Sequence, residues 1–183
     1  GAPFTEHPML GDIEKYGPRG SNEFNFQATD TAYEEYFGGR LAESWEITSD
    51  PLGIIFHIRP GVMWAGNEKI GMEPREVTAT DVAYHFQRAR DWNIIEMGWT
   101  EWAFVDSITA TDKYTVVVEW NTYNPMWSYE MVYGWGGGGA IIPIETVVAG
   151  VSDWQNQVSN GAFIMTEFVR GSQAIYEPNP NYW

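Results

Sequence analysis

At 183 residues the chain is long enough for one sizeable core and too short for two full-sized domains. Its 25 acidic residues against 10 basic ones give a formal charge of -15, which repels nucleic-acid phosphates and anionic lipid surfaces, with no basic stripe to offset it. Cysteine is absent, which excludes disulfides, thiolate metal sites and cysteine nucleophiles; no apolar run approaches the roughly 18 residues of a membrane span, and GAPFTEHPML lacks the basic-then-apolar order of an export signal.

Residues 1–40 are rich in Gly, Pro, Asn and charge and read as weakly anchored, with a strand at 23–27 and a short helix at 31–37 capped by Thr29 or Asp30. The strongest signals lie between Leu41 and Trp92. Trp45 and Ile47 open that stretch, and Ser49, Asp50, Pro51 and Gly53 turn the chain. Ile54, Phe56 and Ile58 then alternate with Ile55, His57 and Arg59, the two-residue period of a covered strand. Residues 60–76 carry Gly61, Gly66, Gly71 and Pro74 and predict an irregular connection around Trp64. Thr78 and Asp81 fit a capping box, and Val82, Phe86 and Ala89 follow at helical spacing, with Arg88 and Arg90 toward water.

Beyond that helix, residues 93–103 read as a loop with a short helical turn. Residues 104–110 and 114–120 predict a hairpin around Thr111, Asp112 and Lys113, because Tyr114, Val116, Val118 and Trp120 alternate with Thr115, Val117 and Glu119. Asn124 before Pro125 starts a short helix over 125–132, ended by the glycines 134–139. Two more short helices are expected at 143–149 and 152–158, the second capped by Ser152, then a hairpin of 162–169 with 173–177 around Arg170, Gly171 and Ser172.

Few of the reactive constellations survive inspection. Gly134, Gly136 and Gly139 satisfy GxGxxG, yet no long helix and no acidic residue at the required distance follow, so the glycines permit a sharp reversal instead of cradling a dinucleotide. His7, His57 and His85 lie far apart without metal-ligand spacing and read as structural, and neither Gly-x-Ser-x-Gly nor Ser-x-x-Lys occurs. Catalytic, metal and cofactor residues are therefore assigned to none. Carboxylates are abundant, but Glu34, Glu35, Glu43, Glu101, Glu130 and Glu167 read as solvated surface or helix-end charges. The 10 Trp and 10 Tyr are either large core and interface side chains or a stacking surface for sugars or peptides.

Three linked stretches carry a resemblance. Leu41-Ala42-Glu43-Ser44-Trp45-Glu46 is similar to LAxSWE; Phe56-His57-Ile58-Arg59-Pro60-Gly61-Val62 with Trp64 is similar to FxLRxGVxW; Thr78-Ala79-Thr80-Asp81-Val82, leading into Tyr84 and Phe86, is similar to TAxDVxYxF. In this order and spacing they resemble the family 5 extracellular solute-binding proteins, the oligopeptide- and dipeptide-binding components of ATP-driven (ABC) importers. Asp112 to Glu119 looks like that family's D-x-x-T-V hairpin, Ile141-Ile142-Pro143 like its ii-P segment, and Asn179-Pro180-Asn181-Tyr182-Trp183 like its N-P-x-Y-W ending. The likeness spans about Leu41 to Trp183. It departs at 65–77, which is longer than the family's D-G-x-P link, and at Ser159-Asn160-Gly161-Ala162-Phe163, which stands for G-T-G-P-Y.

The resemblance implies an α/β fold with a mixed sheet, of the type II periplasmic-binding-protein kind, in which two lobes close on a ligand and the first lobe carries an inserted domain. On that reading 1–40 is a poorly matched segment of lobe I, 41–158 is the inserted domain, and 159–183 returns to lobe I ahead of a second lobe absent from this sequence. The implied function is non-enzymatic: capture of a small solute, an oligopeptide first, with oligosaccharide and nickel as other ligands, and delivery to an ABC transporter permease. The implied location is periplasmic or extracellular, with a lipid anchor on the full-length protein left open. Trp92, Trp99, Trp102, Tyr133 and Trp135 are the candidates for facing the ligand cleft. Two rival readings are an aromatic-platform carbohydrate-binding module and a carboxylate-dependent hydrolase.

Overall fold

The structure, a computed structural model, describes residues 4–26, 33–97, 100–133 and 139–183. Its centre is a four-stranded sheet of β3 (Ala42–Ser49), β4 (Leu52–Ile58), β7 (Val105–Ala110) and β8 (Thr115–Trp120), in the order β3-β4-β8-β7. The β4 alternation is used as read: Ile54, Phe56 and Ile58 are fully buried while Ile55 and His57 stay half-exposed. Opposite them in register, Val118 faces Ile54 and Val116 faces Phe56, so both strands bury the same face. The helix α2 (Ala79–Asp91) covers it through Val82, Phe86 and Ala89, and the Phe86 ring lies 5.7 Å from that of Phe56.

The start of α2 is fixed by side chains. The Thr78 backbone N–H donates to Asp81 Oδ2 at 2.9 Å, closing the expected capping box. Asp81 also accepts two hydrogen bonds from Arg75, at 2.6 and 2.9 Å, and the same guanidinium donates two more to Glu145. Arg75 thereby ties α2 to α3 (Ile144–Ala149), and the two carboxylates raise its pKa. Residues 60–76 are more regular than expected. Met63–Trp64 (β5) pairs with Arg75–Glu76 (β6), and a 3-10 turn at Glu68–Ile70 is closed by Gly71 at φ 69°, a left-handed position that favours glycine. Glu76 anchors the far side of this connection. It accepts from Lys113, Tyr114 and the Gly61 N–H, which hold its carboxyl down at about 2.

Several expectations are corrected. Residues 23–26 form no strand; Phe24 instead stacks on Tyr36 at 4.6 Å and meets Phe26 edge-on, so ring contacts replace a ladder there. The expected helix at 31–37 is, in its described part, a 3-10 turn at Glu34–Tyr36, running into β2 (Phe37–Gly39), while Thr29 and Asp30 lie outside the described residues. β2 pairs with β1 (Met9–Gly11), which leads into the single helical turn α1 (Ile13–Tyr16). Residues 4–7 are firmly held. Asn160 and Gly161 donate to the Phe4 carbonyl, Asn160 Oδ1 accepts from the Glu6 N–H, and the Ile141 and Leu41 N–H groups donate to the Glu6 and His7 carbonyls.

Ser128–Tyr133 and Trp92–Glu96 are wider π-helical turns where α-helix and loop were expected. The expected helix at 152–158 contracts to a 3-10 turn at Trp154–Asn156, capped by Asp153, not Ser152, because the Asn156 side chain turns back to the Ala149 and Gly150 carbonyls. The terminal hairpin forms as read, from β9 (Phe163–Val169) and β10 (Gln173–Pro178), yet Phe163, Phe168, Val169 and Ile175 remain about two-fifths exposed. Every described strand pair is antiparallel, including β4 with β8, which are joined through α2. The α/β character thus rests on helices packed against antiparallel sheets.

Candidate functional site

Antiparallel pairing of β7 and β8 sets Val105 opposite Trp120, so the connection entering β7 and the one leaving β8 emerge together at one end of the sheet. Asn121 stitches them: its N–H donates to the Phe104 carbonyl and its side-chain amide to the Ala103 carbonyl at 2.9 Å. Between the two connections lies a pocket of about 490 Å³, lined by Thr100, Glu101, Thr122, Tyr123, Asn124 and Glu130. Asn124 is held twice, accepting from the Met126 N–H and donating to Glu130 Oε2 at 2.6 Å. Partial burial and the nearby Glu101 charge raise the Glu130 carboxyl pKa, against the Asn124 hydrogen bond. Glu101 Oε2 is buried and finds no partner among the described residues. Two carboxylates lining one pocket are acceptors for an ammonium group.

Adjoining this end is the chain start. His7 is buried, its Nδ1 3.5 Å from the Val132 carbonyl and its Nε2 unpartnered among the described residues. Burial lowers its pKa to about 4 despite that carbonyl, so the ring is neutral at pH 7. The ring passes so close to Gly139 that a Cβ there would lie 2.7 Å from His7 Nδ1 and overlap the Val132 carbonyl. Asn160 is also buried, with its Nδ2 unpartnered among the described residues.

The five aromatic candidates are spread across different environments. Trp92 is 43% exposed and opens the π-helical turn beside Tyr84 and Arg88. Trp102 is a core residue, fully buried with its ring 5.8 Å from Phe86, so it is corrected from cleft-facing to packing. Tyr133 ends the second π-helical turn, and Trp99 and Trp135 lie outside the described residues, as do Gly134 and Gly136. Sequence reading missed Glu101, Glu130, His7 and Asn160; a single carboxylate between uncharged neighbours carries no local mark of which pocket it lines, and His7 meets Val132 only through the fold. The other histidines are structural: His57 lies 3.6 Å from exposed Glu46, and buried His85 accepts from the Ile142 N–H. Among the described residues no group of three or more His, Asp or Glu is placed to hold a metal ion, and no helix is long and apolar enough to cross a membrane.

Residues 37–183 match the family described as bacterial extracellular solute-binding proteins, family 5 Middle. The chain belongs to this family. A curated relative, Di/tripeptide-binding protein 4 of Pseudomonas aeruginosa (strain UCBPP-PA14), is 26% identical over 159 residues, covering 78% of this chain and 29% of that protein. Among solved family 5 folds, a binding protein from A. tumefaciens R10 in complex with mannopinic acid superposes with a TM-score of 0.73 at 22% identity, over 99% of this chain and 32% of that one. The Helicobacter pylori ABC transporter-associated protein DppA, in complex with the peptide STSA, gives 0.68 at 20% identity, over 100% and 34%. At such identities the superpositions establish the periplasmic-binding-protein fold. The chain spans about a third of the length of these relatives.

Proposed function

We propose that this chain is first-lobe material of an extracytoplasmic solute-binding protein, which captures a small solute by lobe closure and delivers it to an ABC transporter permease. Family 5 membership over 37–183 carries the reading. Relatives whose names or complexes specify di- and tripeptides and a bound peptide make an oligopeptide the first ligand to test. In this reading 41–158 is the inserted domain, 159–183 returns to lobe I, and the protein acts in the periplasm or outside the cell without catalysis. The half-exposed apolar side chains of β9 and β10 support it, because an isolated two-stranded hairpin is marginal until something packs on it.

The cleft side is assigned to the end of the sheet where the connections around 92–104 and 121–139 emerge. Trp92, Trp99, Tyr133 and Trp135 stay candidates for lining it, and Glu101 with Glu130 is added as an acceptor for a ligand ammonium. Calorimetric titration of di- to pentapeptides into the full-length protein carrying this chain tests the reading. Saturable binding that weakens at least tenfold in Glu101→Gln/Glu130→Gln is expected. No binding to any peptide would remove peptide capture. Sugar affinity in the 183-residue chain alone would favour the carbohydrate module, and turnover abolished by a single carboxylate substitution would favour the hydrolase.

A further inference from the structure

A second cavity, of about 990 Å³, lies on the other side of Tyr123 and Pro125. One wall comes from Tyr16, Tyr33, Glu34 and Glu35, ahead of the stretch that matches family 5, and the opposite wall from Tyr123 and Met126. Trp45 on β3 contributes its half-exposed indole, and buried Phe37 and Trp127 close the floor. Five of its twelve lining residues therefore lie outside the matched family region.

Its chemistry is specific. Tyr33 is 70% and Tyr123 55% exposed, both within one concavity, an arrangement that internal packing does not explain. The Trp45 indole N–H donates to Glu34 Oε1 at 2.9 Å, which fixes that carboxylate at the edge of the indole ring. Glu35 adds a second negative charge. Lys15, the one cation among the lining residues, already rests with Nζ 4.6 Å from the Tyr16 ring centroid at the groove's edge. Tyr and Trp faces attract cations through the ring quadrupole, and carboxylates reinforce that attraction. An anion meets two glutamates and a chain of net charge -15.

We propose that this groove is a binding site for an organic cation, an ammonium or guanidinium group on an alkyl chain, with Glu34 and Glu35 supplying the charge and Tyr33, Trp45 and Tyr123 the faces. Two sources carry that chemistry, a free amine or a basic side chain of a peptide.

The test follows the Trp45 indole resonance of the 183-residue chain by nuclear magnetic resonance. Agmatine probes the free cation, acetylated trilysine amide probes the basic side chain on a peptide, and acetylated triglutamine amide is the neutral control. Saturable shifts with agmatine or trilysine, absent with triglutamine and weakened at least tenfold in Glu34→Gln/Glu35→Gln, support the site; the tighter ligand identifies the source. No saturable shift with either cation, or equal shifts with triglutamine, overturns it. Cation binding that survives Glu34→Gln/Glu35→Gln and is lost in Glu101→Gln/Glu130→Gln assigns the cation to the neighbouring pocket and equally overturns the proposal.

Discussion

The central sheet with α2 and the terminal hairpin β9–β10 are both antiparallel and both expected from the sequence, the sheet from two-residue alternation and the hairpin from two runs flanking Arg170-Gly171-Ser172, yet they end in opposite states. In the sheet, Ile54, Phe56, Val116 and Val118 are sealed by Val82, Phe86 and Trp102, and the carboxylate that starts α2 is matched by a guanidinium. In the hairpin, apolar residues on both strands stay in contact with water. It is joined to the body by Phe4 stacking on Tyr176, by Phe168 against Trp154, by the Tyr182 hydroxyl donating to Glu6, and by Trp183 lying over Arg59. Alternation therefore reports that a strand exists; the presence of a covering layer decides whether its apolar side stabilises this chain or waits for another surface.

The largest expected contrast is between equivalent truncations. Phe56→Ala should cost about 3–5 kcal/mol in urea unfolding, through lost burial and the cavity left behind, whereas Phe168→Ala should cost under about 1 kcal/mol. Equal losses would erase the distinction. Next in size is the buried ring beside Val132. Between pH 6.5 and about 4 the unfolded chain binds a proton at His7 that the folded chain refuses, so stability is fully present above 6.5 and falls as pH drops toward 4. The loss attributable to His7 is about 3 kcal/mol, read as the difference between the pH profiles of the native chain and His7→Gln. A profile unchanged by that substitution would show His7 to be solvated. Smaller again is Arg75→Met, which strands the Asp81 and Glu145 carboxylates; a loss of about 2 kcal/mol in urea unfolding is expected, reduced from the fully buried case because Arg75 keeps a third of its side-chain surface.

Local signals carried β4, β7, β8 and the start of α2, because alternation and a Thr-x-x-Asp cap are complete within a few residues. They failed where the partner is remote. Glu6 meets Asn160 across 154 positions, and His7 meets Val132 across 125, so the firm hold on residues 4–7 left no local trace. The Asn124-Pro125 start signalled a short helix over 125–132 but not the π hydrogen-bonding of Ser128–Tyr133. At the candidate site, the run of tryptophans was visible, but nothing adjacent to Trp102 distinguishes it from Trp92. One packs on Phe86, and the other stands at the surface. Glu101 and Glu130 come together only because β7 and β8 pair in the register that sets Val105 against Trp120.

Amide hydrogen exchange tests the central proposal most directly, that the sheet with α2 is stable by itself while the hairpin packs on a further part of a solute-binding protein. In the 183-residue chain, Phe56 and Val118 should exchange only through global unfolding, and the hairpin amides of Phe168 and Ala174 about 100-fold faster or more. In the longer protein that we propose contains this chain, the hairpin amides should slow toward the rate of the sheet. Hairpin amides as slow as Phe56 in this chain alone, or equally fast in the longer protein, would contradict the account.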